Sequence, residues 1–327
     1  MNDLQDVRIL AVHAHPDDES LWTGLSLAQW ARRGAEVTVV TCTLGEEGEV
    51  IGEKYAGLVA DDHDILGGYR IAELQRALGE LGVGRPRFLG GPGRWRDSGM
   101  AGAPAAEHPA AFVSSGATAV EQLTAVFDDL RPHVVVTYGP DGGYGHPDHI
   151  RAHEIVHAAA DAAAESHDAH WTPARIYWAV QERERVEAGL AAMRDAGDPP
   201  AGWRWPEPGE LASVPAASVD VRVVAGAYPD DGGGDGGKAG NSDLDAKRRA
   251  MTAHATQLWV ADGSASDVND RAREPVGDGV PMAYCLSNLI AQPLLPSESY
   301  MIGAAFPVPR LSQDTLNRLD CLFAEGR

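Results

Sequence analysis

The segment Arg8-Ile-Leu-Ala-Val-His-Ala-His-Pro-Asp-Asp-Glu19 predicts the organisation of the whole chain. Its first half is an apolar run rich in Ile, Leu and Val, which is typical of a buried strand. The run breaks at Pro16, and the turn presents His15, Asp17 and Asp18 close together. In open α/β sheets, ligands bind outside the carboxyl ends of the strands. The segment therefore predicts a strand with a functional site at its end.

The residue types in this turn suggest a metal site. His15 and Asp18 can face one point and act as two ligands of a borderline cation such as Zn²⁺. Asp17 lies between them in the sequence and is then free for proton transfer. The alternative is a solvated acidic turn that carries no chemistry. This segment alone does not decide between the two.

A second segment of the same design favours the metal site. The apolar strand His133–Tyr138 runs into Gly139-Pro-Asp-Gly-Gly-Tyr-Gly-His-Pro-Asp-His149. Because the ends of parallel strands share one edge of a sheet, we expect the two clusters to meet. His146 or His149 then supplies a third ligand, and three protein ligands with an open fourth position are typical of catalytic zinc. We favour His149, since a helix begins there and fixes it, and Asp148 is then available to hold the ring of His146.

The order of elements predicts the fold class. Helix Leu21–Arg33 and strand Glu36–Thr43 complete a βαβ unit, which implies a parallel sheet. Further predicted elements are helix Tyr69–Leu81, strand Arg87–Leu89, a loop at 90–116, helix Ala117–Leu130, helix Ile150–Ala164, strand Arg175–Val180 and helix Leu244–Thr256. We expect an α/β fold with a Rossmann-like, mostly parallel sheet flanked by helices. A catalytic domain at 1–171 would precede a smaller mixed lobe at 172–327 with a glycine-rich insertion at 230–242.

Composition excludes several classes of protein. The formal net charge of −21 argues against binding to nucleic acids or anionic membranes. The N-terminus lacks an apolar signal region, and no run reaches the ~20 apolar residues of a membrane span. Cys42, Cys285 and Cys321 are widely spaced and have no metal-binding partners nearby, which indicates a reducing compartment. We therefore expect a cytoplasmic protein.

Two other motifs point to different classes. His153-Glu-Ile-Val-His157 matches H-E-x-x-H, the zinc-binding helix of metalloproteases. No evident third ligand follows it, and His157 would lie about 12 Å from the start of its helix at ~1.5 Å per residue. The glycines after Tyr138 resemble a nucleotide loop, but no G-x-G-x-x-G follows the first strand and no P-loop is present. Both alternatives are weaker than the metal site, and we expect His157 to be structural.

Together, Ala14-His-Pro-Asp-Asp-Glu19 and His146-Pro-Asp-His149 resemble the LmbE/PIG-L family of metal-dependent N-deacetylases. Other stretches resemble the mycothiol-pathway branch of that family, whose small-molecule substrate is N-acetylglucosaminyl-inositol. These stretches are Cys42–Gly52, Leu66–Ile71, Gly93–Gly102 and Gly142–His149. The sister branch, the mycothiol S-conjugate amidases, shares both metal motifs and is one alternative. Another LmbE-type deacetylase of N-acetylglucosamine derivatives is the other.

This resemblance implies specific roles for residues. It implies a Rossmann-like sheet and a bound Zn²⁺ ion, with Fe²⁺ as an alternative in the cell. The residues are His15, Asp18 and His149 as metal ligands, Asp17 as general base, Tyr144 and His146 facing the reacting carbonyl, and Arg70 and Asp97 contacting the sugar or inositol. A non-enzymatic metal- or sugar-binding module would use the same cluster without releasing acetate.

Overall fold

The computed structural model describes residues 3–166, 169–226, 242–307 and 311–323. Its strands are β1 (Arg8–His13), β2 (Glu36–Thr41), β3 (Arg87–Phe88), β4 (Val134–Tyr138), β5 (Arg175–Val180), β6 (Val221–Val224), β7 (Trp259–Val260), β8 (Ala283–Cys285), β9 (Gln292–Pro293) and β10 (Ser297–Ala305). Seven strands form the main sheet in the order β3-β2-β1-β4-β5-β10-β6, and β7, β8 and β9 form a small antiparallel sheet. Strands β1 to β5 are mutually parallel and β10 is antiparallel to its neighbours, so the predicted fold class is confirmed.

Helices cover both faces of the main sheet. They are α1 (Asp18–Trp22), α2 (Gly24–Arg32), α3 (Leu66–Glu80), α4 (Gly116–Leu130), α5 (Pro147–Glu165), α6 (Arg183–Ala196), α7 (Asp243–Ala253) and α8 (Gln313–Asp320). Helix α5 begins three residues before the predicted start, which places His149 in its first turn. In the described part of the chain, no helix combines the length and the apolar character needed to cross a membrane.

The central strands are buried on both faces. In β1, Ile9 and Ala11 pack with residues of α2, α3, α7 and α8, whereas Leu10 and Val12 pack with residues of α4 and α5. This alternation is the period of two that every strand imposes on its side chains. Apolar residues at successive positions therefore mark a strand that is covered on both sides.

The predicted helix Leu21–Arg33 is two helices, because the chain breaks at Thr23. The Thr23 hydroxyl donates to the carbonyl of Glu19 (3.0 Å) and lies 2.9 Å from Nε2 of the buried His13. The break exposes the first peptide N–H groups of α2 to a side chain from β10, as described below. The hydrogen bonds of Thr23, together with the contact of Glu298 with the start of α2, therefore override a continuous helical pattern.

The direction in which successive strands are added to the sheet changes between β1 and β4. From β1 the chain adds β2 and β3 on one side, and from β4 it adds β5 on the other. The two strands pair in parallel, with Ile9 opposite Val134 and Ala11 opposite Val136. Their carboxyl ends therefore lie side by side at a topological switch point, which is where open α/β sheets bind ligands.

The second half of the chain completes the main sheet. Strands β5, β10 and β6 all come from it, and the boundary between 171 and 172 stays a prediction. Helix α6 and strand β10 were not predicted; β10 begins Ser-Glu-Ser, and these buried residues hide its strand pattern. The predicted insertion at 230–242 lies outside the described residues except for Ser242, whose hydroxyl accepts a hydrogen bond from the Asp245 N–H and caps α7.

Glu298 on β10 is a buried carboxylate that ties three elements together. It accepts hydrogen bonds from the peptide N–H groups of Leu25 (2.9 Å) and Ser26 (2.9 Å) at the start of α2. It also accepts from Lys247 Nζ on α7 (2.7 Å) and from the hydroxyl of Tyr300 (3.1 Å). The positive end of the α2 dipole and the lysine charge together offset the cost of burying the carboxylate.

Replacement of Glu298 by Ala is expected to lower the free energy of unfolding by about 3–5 kcal/mol, because Lys247 would stay buried without its counter-ion. Urea denaturation measures this difference. The control is Asp267→Ala, which removes an exposed ion pair with Lys54 (3.3 Å) and is expected to lower the free energy by less than about 1 kcal/mol. A loss for Glu298→Ala no larger than that of the control would contradict the expectation.

Candidate active site

Three side chains from the two predicted clusters meet at the carboxyl ends of β1 and β4. Nδ1 of His15 lies 3.3 Å from Nε2 of His149. The Oδ2 atom of Asp18 lies 3.5 Å from the former and 3.4 Å from the latter. Ligand atoms at 2.0–2.2 Å from a tetrahedral ion are about 3.3–3.6 Å apart. The triangle therefore fits three ligands of one ion such as Zn²⁺.

The histidines of this triangle are held with the correct nitrogens inward. Nδ1 of His149 lies 3.0 Å from the carbonyl of Gly142. Because a carbonyl only accepts, Nδ1 carries the proton and Nε2 keeps its lone pair for a metal. The ring of Tyr138 stacks on His149 at 4.1 Å between centroids. The Tyr138 hydroxyl also accepts from the Ala14 N–H (2.8 Å), so one residue supports both halves of the site.

Asp18 is fixed as an anion. Its Oδ2 atom accepts a hydrogen bond from the peptide N–H of His15 (2.9 Å). Burial alone would raise the pKa of the Asp18 carboxyl, but the adjacent His149 and His15 rings hold that pKa well below its usual value. A charged carboxylate is the form that binds a cation.

Asp148 contacts a different histidine from the one predicted. Its Oδ2 atom lies 3.3 Å from Nε2 of His15 and accepts from the Ser98 N–H (2.9 Å). The prediction that the Asp148 carboxylate holds the ring of His146 is therefore wrong. Since Nδ1 of His15 faces the triangle, Asp148 fixes the opposite nitrogen, as carboxylates commonly do for histidine ligands of metals. His15 and His146 both lie near the start of α5 in the folded chain, and the sequence does not indicate which of them the Asp148 carboxylate contacts.

The peptide N–H of Asp148, not its carboxylate, contacts His146. It donates to Nδ1 of His146 (3.1 Å), which is the N-cap of α5. The neutral ring therefore carries its proton on Nε2 and is a donor there. Burial lowers the pKa of His146 to about 3, with further lowering by His15 and His149. Tyr144 is about half exposed, and its ring is 6.1 Å from that of His146.

Asp17 occupies a backbone conformation that is rare for a residue with a side chain. Its φ is 124° and its ψ is −30°. One carboxylate oxygen pairs with Nη2 of Arg70 at 3.1 Å, and the peptide N–H donates to Glu19 Oε2 (2.9 Å). Burial raises the pKa of the Asp17 carboxyl to about 6, against the opposing effect of Arg70. Asp17 is thus a buried carboxylate beside the triangle and lines the cleft in front of it.

Arg70 is buried, and its guanidinium mainly contacts the protein. Besides Asp17, it donates to the carbonyls of Gly45 (2.7 Å) and Pro16. Gly45 has φ of +65°, and a Cβ there would lie 2.0 Å from Nη1 of Arg70, so this position requires glycine.

Asp97 lies 3.5 Å from Nε2 of His15, and its Oδ1 accepts from the Gly99 N–H (2.8 Å). Arg70 and Asp97 both line the cleft, and the contact of either with the substrate stays a prediction.

The cleft over these residues has a volume of about 510 Å³. One wall comes from the second half of the chain, and sequence analysis missed it. Its polar residues are Gln181, Glu210, Gln257, Tyr284, Ser287, Asn288 and Gln292. They are scattered over about 110 positions and form no motif, so no sequence signal was available to find them.

The H-E-x-x-H residues lie apart from the triangle. Nδ1 of His153 donates to the carbonyl of Tyr138 (3.0 Å), and Nε2 of His157 accepts from the indole N–H of Trp178 (3.0 Å). Among the described residues, two further groups have ligand atoms close enough to hold a metal ion, His15–His146–His149 and His15–Asp97–Asp148. Both share His15 with the triangle, and neither includes a residue of the H-E-x-x-H motif.

Comparison with known proteins gives strong similarities in sequence. The family model for GlcNAc-PI de-N-acetylases, PIG-L, matches residues 10–160. A 1D-myo-inositol 2-acetamido-2-deoxy-alpha-D-glucopyranoside deacetylase of Corynebacterium diphtheriae is 52% identical over 94% of this chain and 97% of its own. A protein of the same name from Rhodococcus opacus is 50% identical over 91% of this chain and 92% of its own. A deacetylase of teicoplanin biosynthesis aligns in structure over 76% of this chain and 84% of its own, with 20% identity and a TM-score of 0.44.

The triangle predicts which substitutions abolish metal binding. His15→Ala, Asp18→Ala and His149→Ala each leave two protein ligands, too few for a tight site. We expect these purified variants to lose their divalent metal in elemental analysis. Asp148→Ala should weaken metal binding by about 10- to 100-fold, because it removes the partner of a ligand histidine.

Two further variants provide the controls for metal content. His157→Ala should keep the metal, since its ring contacts Trp178. His146→Ala should also keep it while losing activity. Retention of metal by His15→Ala together with its loss from His157→Ala would refute the assignment and favour the protease motif.

Proposed function

We propose, since the chain belongs to the PIG-L family of de-N-acetylases, that it hydrolyses the N-acetyl amide of 1D-myo-inositol 2-acetamido-2-deoxy-alpha-D-glucopyranoside (GlcNAc-Ins) to GlcN-Ins and acetate. The observation that carries this proposal is the match of 52% identity over 94% of the chain to a deacetylase of that name. The site supports it independently, since a triangle of ligand atoms lies beside a buried carboxylate in an open cleft. This is the arrangement that metal-assisted amide hydrolysis requires.

The proposed ligands of the metal are His15, Asp18 and His149. Two imidazole nitrogens and one carboxylate oxygen suit Zn²⁺, and the same set suits Fe²⁺, which stays the alternative. When bound, such an ion lowers the pKa of water and polarises a carbonyl oxygen. These are the two effects that amide hydrolysis needs, since water is a poor nucleophile at neutral pH.

Asp17 is the proposed general base. It would accept the proton of the attacking water, and general-base assistance of this kind contributes typically ~10²–10⁴ in rate. Arg70 holds one of its oxygens at 3.1 Å, which fixes the direction of the carboxylate. Arg70 thus acts on Asp17, and any contact that it makes with the sugar or inositol is additional to this role.

His146 and Tyr144 are proposed to act on the substrate. Because Nδ1 of His146 accepts a backbone hydrogen bond, its Nε2–H is the group available to the oxyanion that forms at the acetyl carbon. The Tyr144 hydroxyl, on the same side of the cleft, is the second candidate donor. The departing amine would receive its proton from Asp17 in a second proton transfer, or from His146 once that ring has itself taken up a proton.

The cleft suits a substrate of two rings. Its volume of about 510 Å³ lies within the usual range for small-molecule sites, about 300–1,000 Å³. Asp97 lies on the side of the metal triangle, where the acetamido sugar would bind. The wall from the second half of the chain carries amide and hydroxyl groups such as those of Gln181 and Gln292. Uncharged groups that donate and accept are suited to the hydroxyls of an inositol ring.

The cytoplasm is the proposed location. Cys42, Cys285 and Cys321 are all unpaired, and two of the three are buried. Free thiols are typical of a reducing compartment.

Replacement of Asp17 by Asn tests the proposed base. We expect the variant to keep its metal and to lose turnover by about 10²-fold or more, because an amide cannot accept the proton. Metal analysis and initial rates on the same preparation measure both quantities. Near-normal kcat in a metal-loaded Asp17→Asn protein would remove Asp17 from this role.

Product analysis with GlcNAc-Ins tests the function itself. Fluorescamine should detect a new primary amine, and an equal amount of acetate should appear. Loss of both in the metal-depleted Asp18→Ala protein is the control. Binding without release of acetate would indicate a binding module. Preferential cleavage of a mycothiol S-conjugate would indicate the amidase branch.

A further inference from the structure

A histidine from the second half of the chain reaches the turn that carries the proposed base. His254 follows α7, and its Nε2 lies 2.7 Å from Oε1 of Glu19. Both side chains are completely buried, although the residues are 235 positions apart. His254 is not among the residues that line the cleft, and it belongs neither to the triangle nor to the other groups of close ligand atoms. It therefore has no part in the mechanism described above.

Glu19 uses both carboxylate oxygens inside the protein. Oε2 accepts the peptide N–H of Asp17 at 2.9 Å. Oε1 accepts from the Ser20 hydroxyl (2.6 Å) and faces His254. Glu19 belongs to the same acidic motif as the proposed ligand and base, yet its carboxylate is bonded to the backbone of that motif, to Ser20 and to His254.

Asp17 needs such support because of its backbone. A φ of 124° is unfavourable in a residue other than glycine, and such a conformation persists only where the surroundings enforce it. Glu19 holds the peptide N–H, Arg70 holds the carboxylate, and the N–H groups of Ser20 and Leu21 donate to the carbonyl (2.9 Å each). Of these contacts, only the one from Glu19 restrains the peptide on the N-terminal side of Asp17, so its loss would let φ relax and move the carboxylate away from the cleft.

Helix α3 supports both ends of this arrangement. Arg70 on α3 pairs with Asp17, and one turn later Glu73 accepts hydrogen bonds from the N–H (2.9 Å) and the hydroxyl (2.7 Å) of Thr256. Thr256 is two residues beyond His254, so Glu73 fixes the turn from which the histidine projects. The distance from His254 to Glu19 is therefore set by the same helix that orients Asp17.

We propose that His254 is a positioning residue for the general base: by donating to Glu19 it fixes the acceptor of the Asp17 N–H, and so holds the Asp17 carboxylate toward the attacking water. The inference rests on the proposed function of Asp17. A purely structural role for the pair would affect stability and leave the rate per folded, metal-loaded molecule unchanged.

The test compares two substitutions of His254. Gln places an amide N–H at about the reach of Nε2, so His254→Gln keeps the donor, whereas His254→Leu removes it. We expect His254→Leu to keep its metal and its KM within about threefold, and to lose kcat by about 10- to 100-fold. His254→Gln should keep kcat within about threefold of the unmodified protein. His254→Asn, whose amide is too short to reach Glu19, replaces His254→Leu if that variant does not fold, with the same expected loss.

His133→Leu is the matched control. His133 is also buried, but it lies before β4, at the opposite edge of the sheet, and its ring contacts Arg8. Its kcat should be unchanged after correction for folded protein. Equal kcat in His254→Leu and His254→Gln, whether both are normal or both are reduced, would overturn the proposal.

A crystal structure of His254→Leu separates this inference from the proposed function. If His254 positions Asp17, the φ of Asp17 should leave the region near 124° in the variant and return to it in His254→Gln. An unchanged Asp17 backbone would refute the positioning role. The absence of acetate release by the unmodified protein would instead refute the proposed function. The φ of Asp17 in the His254→Leu structure would still decide whether His254 positions that residue.

Discussion

The parallel pairing of β1 and β4 is the constraint on which the site depends. Each strand ends in a short turn that carries histidine and aspartate side chains, and the triangle takes His15 and Asp18 from the first turn and His149 from the second. Register fixes the two ends side by side, with Ala11 opposite Val136. Because each side chain of these strands packs against particular helices on its own face, a shift of one residue would move every side chain to the opposite face and disrupt the packing on both. The hydrophobic core therefore sets the distance between His15 and His149.

Four buried carboxylates around this edge each have a hydrogen-bond donor. The carboxylates of Asp17, Glu19, Glu73 and Glu298 lie out of solvent, and each accepts from a named donor. Burying an ion without a partner costs several kcal/mol, so such a set is stable only when complete. The same completeness makes the site rigid, which favours catalysis because reacting groups do not have to reorganise.

The second half of the chain takes part in the site without supplying a ligand of the triangle. It gives one wall of the cleft, the lysine that pairs with Glu298, and the histidine that contacts Glu19. Lys247 also donates to the carbonyl of Leu21 at the end of α1 (2.8 Å), so α7 is attached to the short helix of the first motif. The turn that carries Asp17 and Asp18 is thus shaped by residues more than 200 positions away.

The sequence by itself determined the parallel α/β sheet and the two strand ends that carry the histidines and aspartates, because hydrophobic period and local spacing are written in consecutive residues. The partners of those side chains were decided only by tertiary structure. Asp148 contacts His15, Arg70 contacts Asp17, and the helix breaks at Thr23 where Glu298 takes the exposed N–H groups. Such contacts join residues up to 273 positions apart, and a buried polar group selects its partner by three-dimensional distance, which periodicity does not encode.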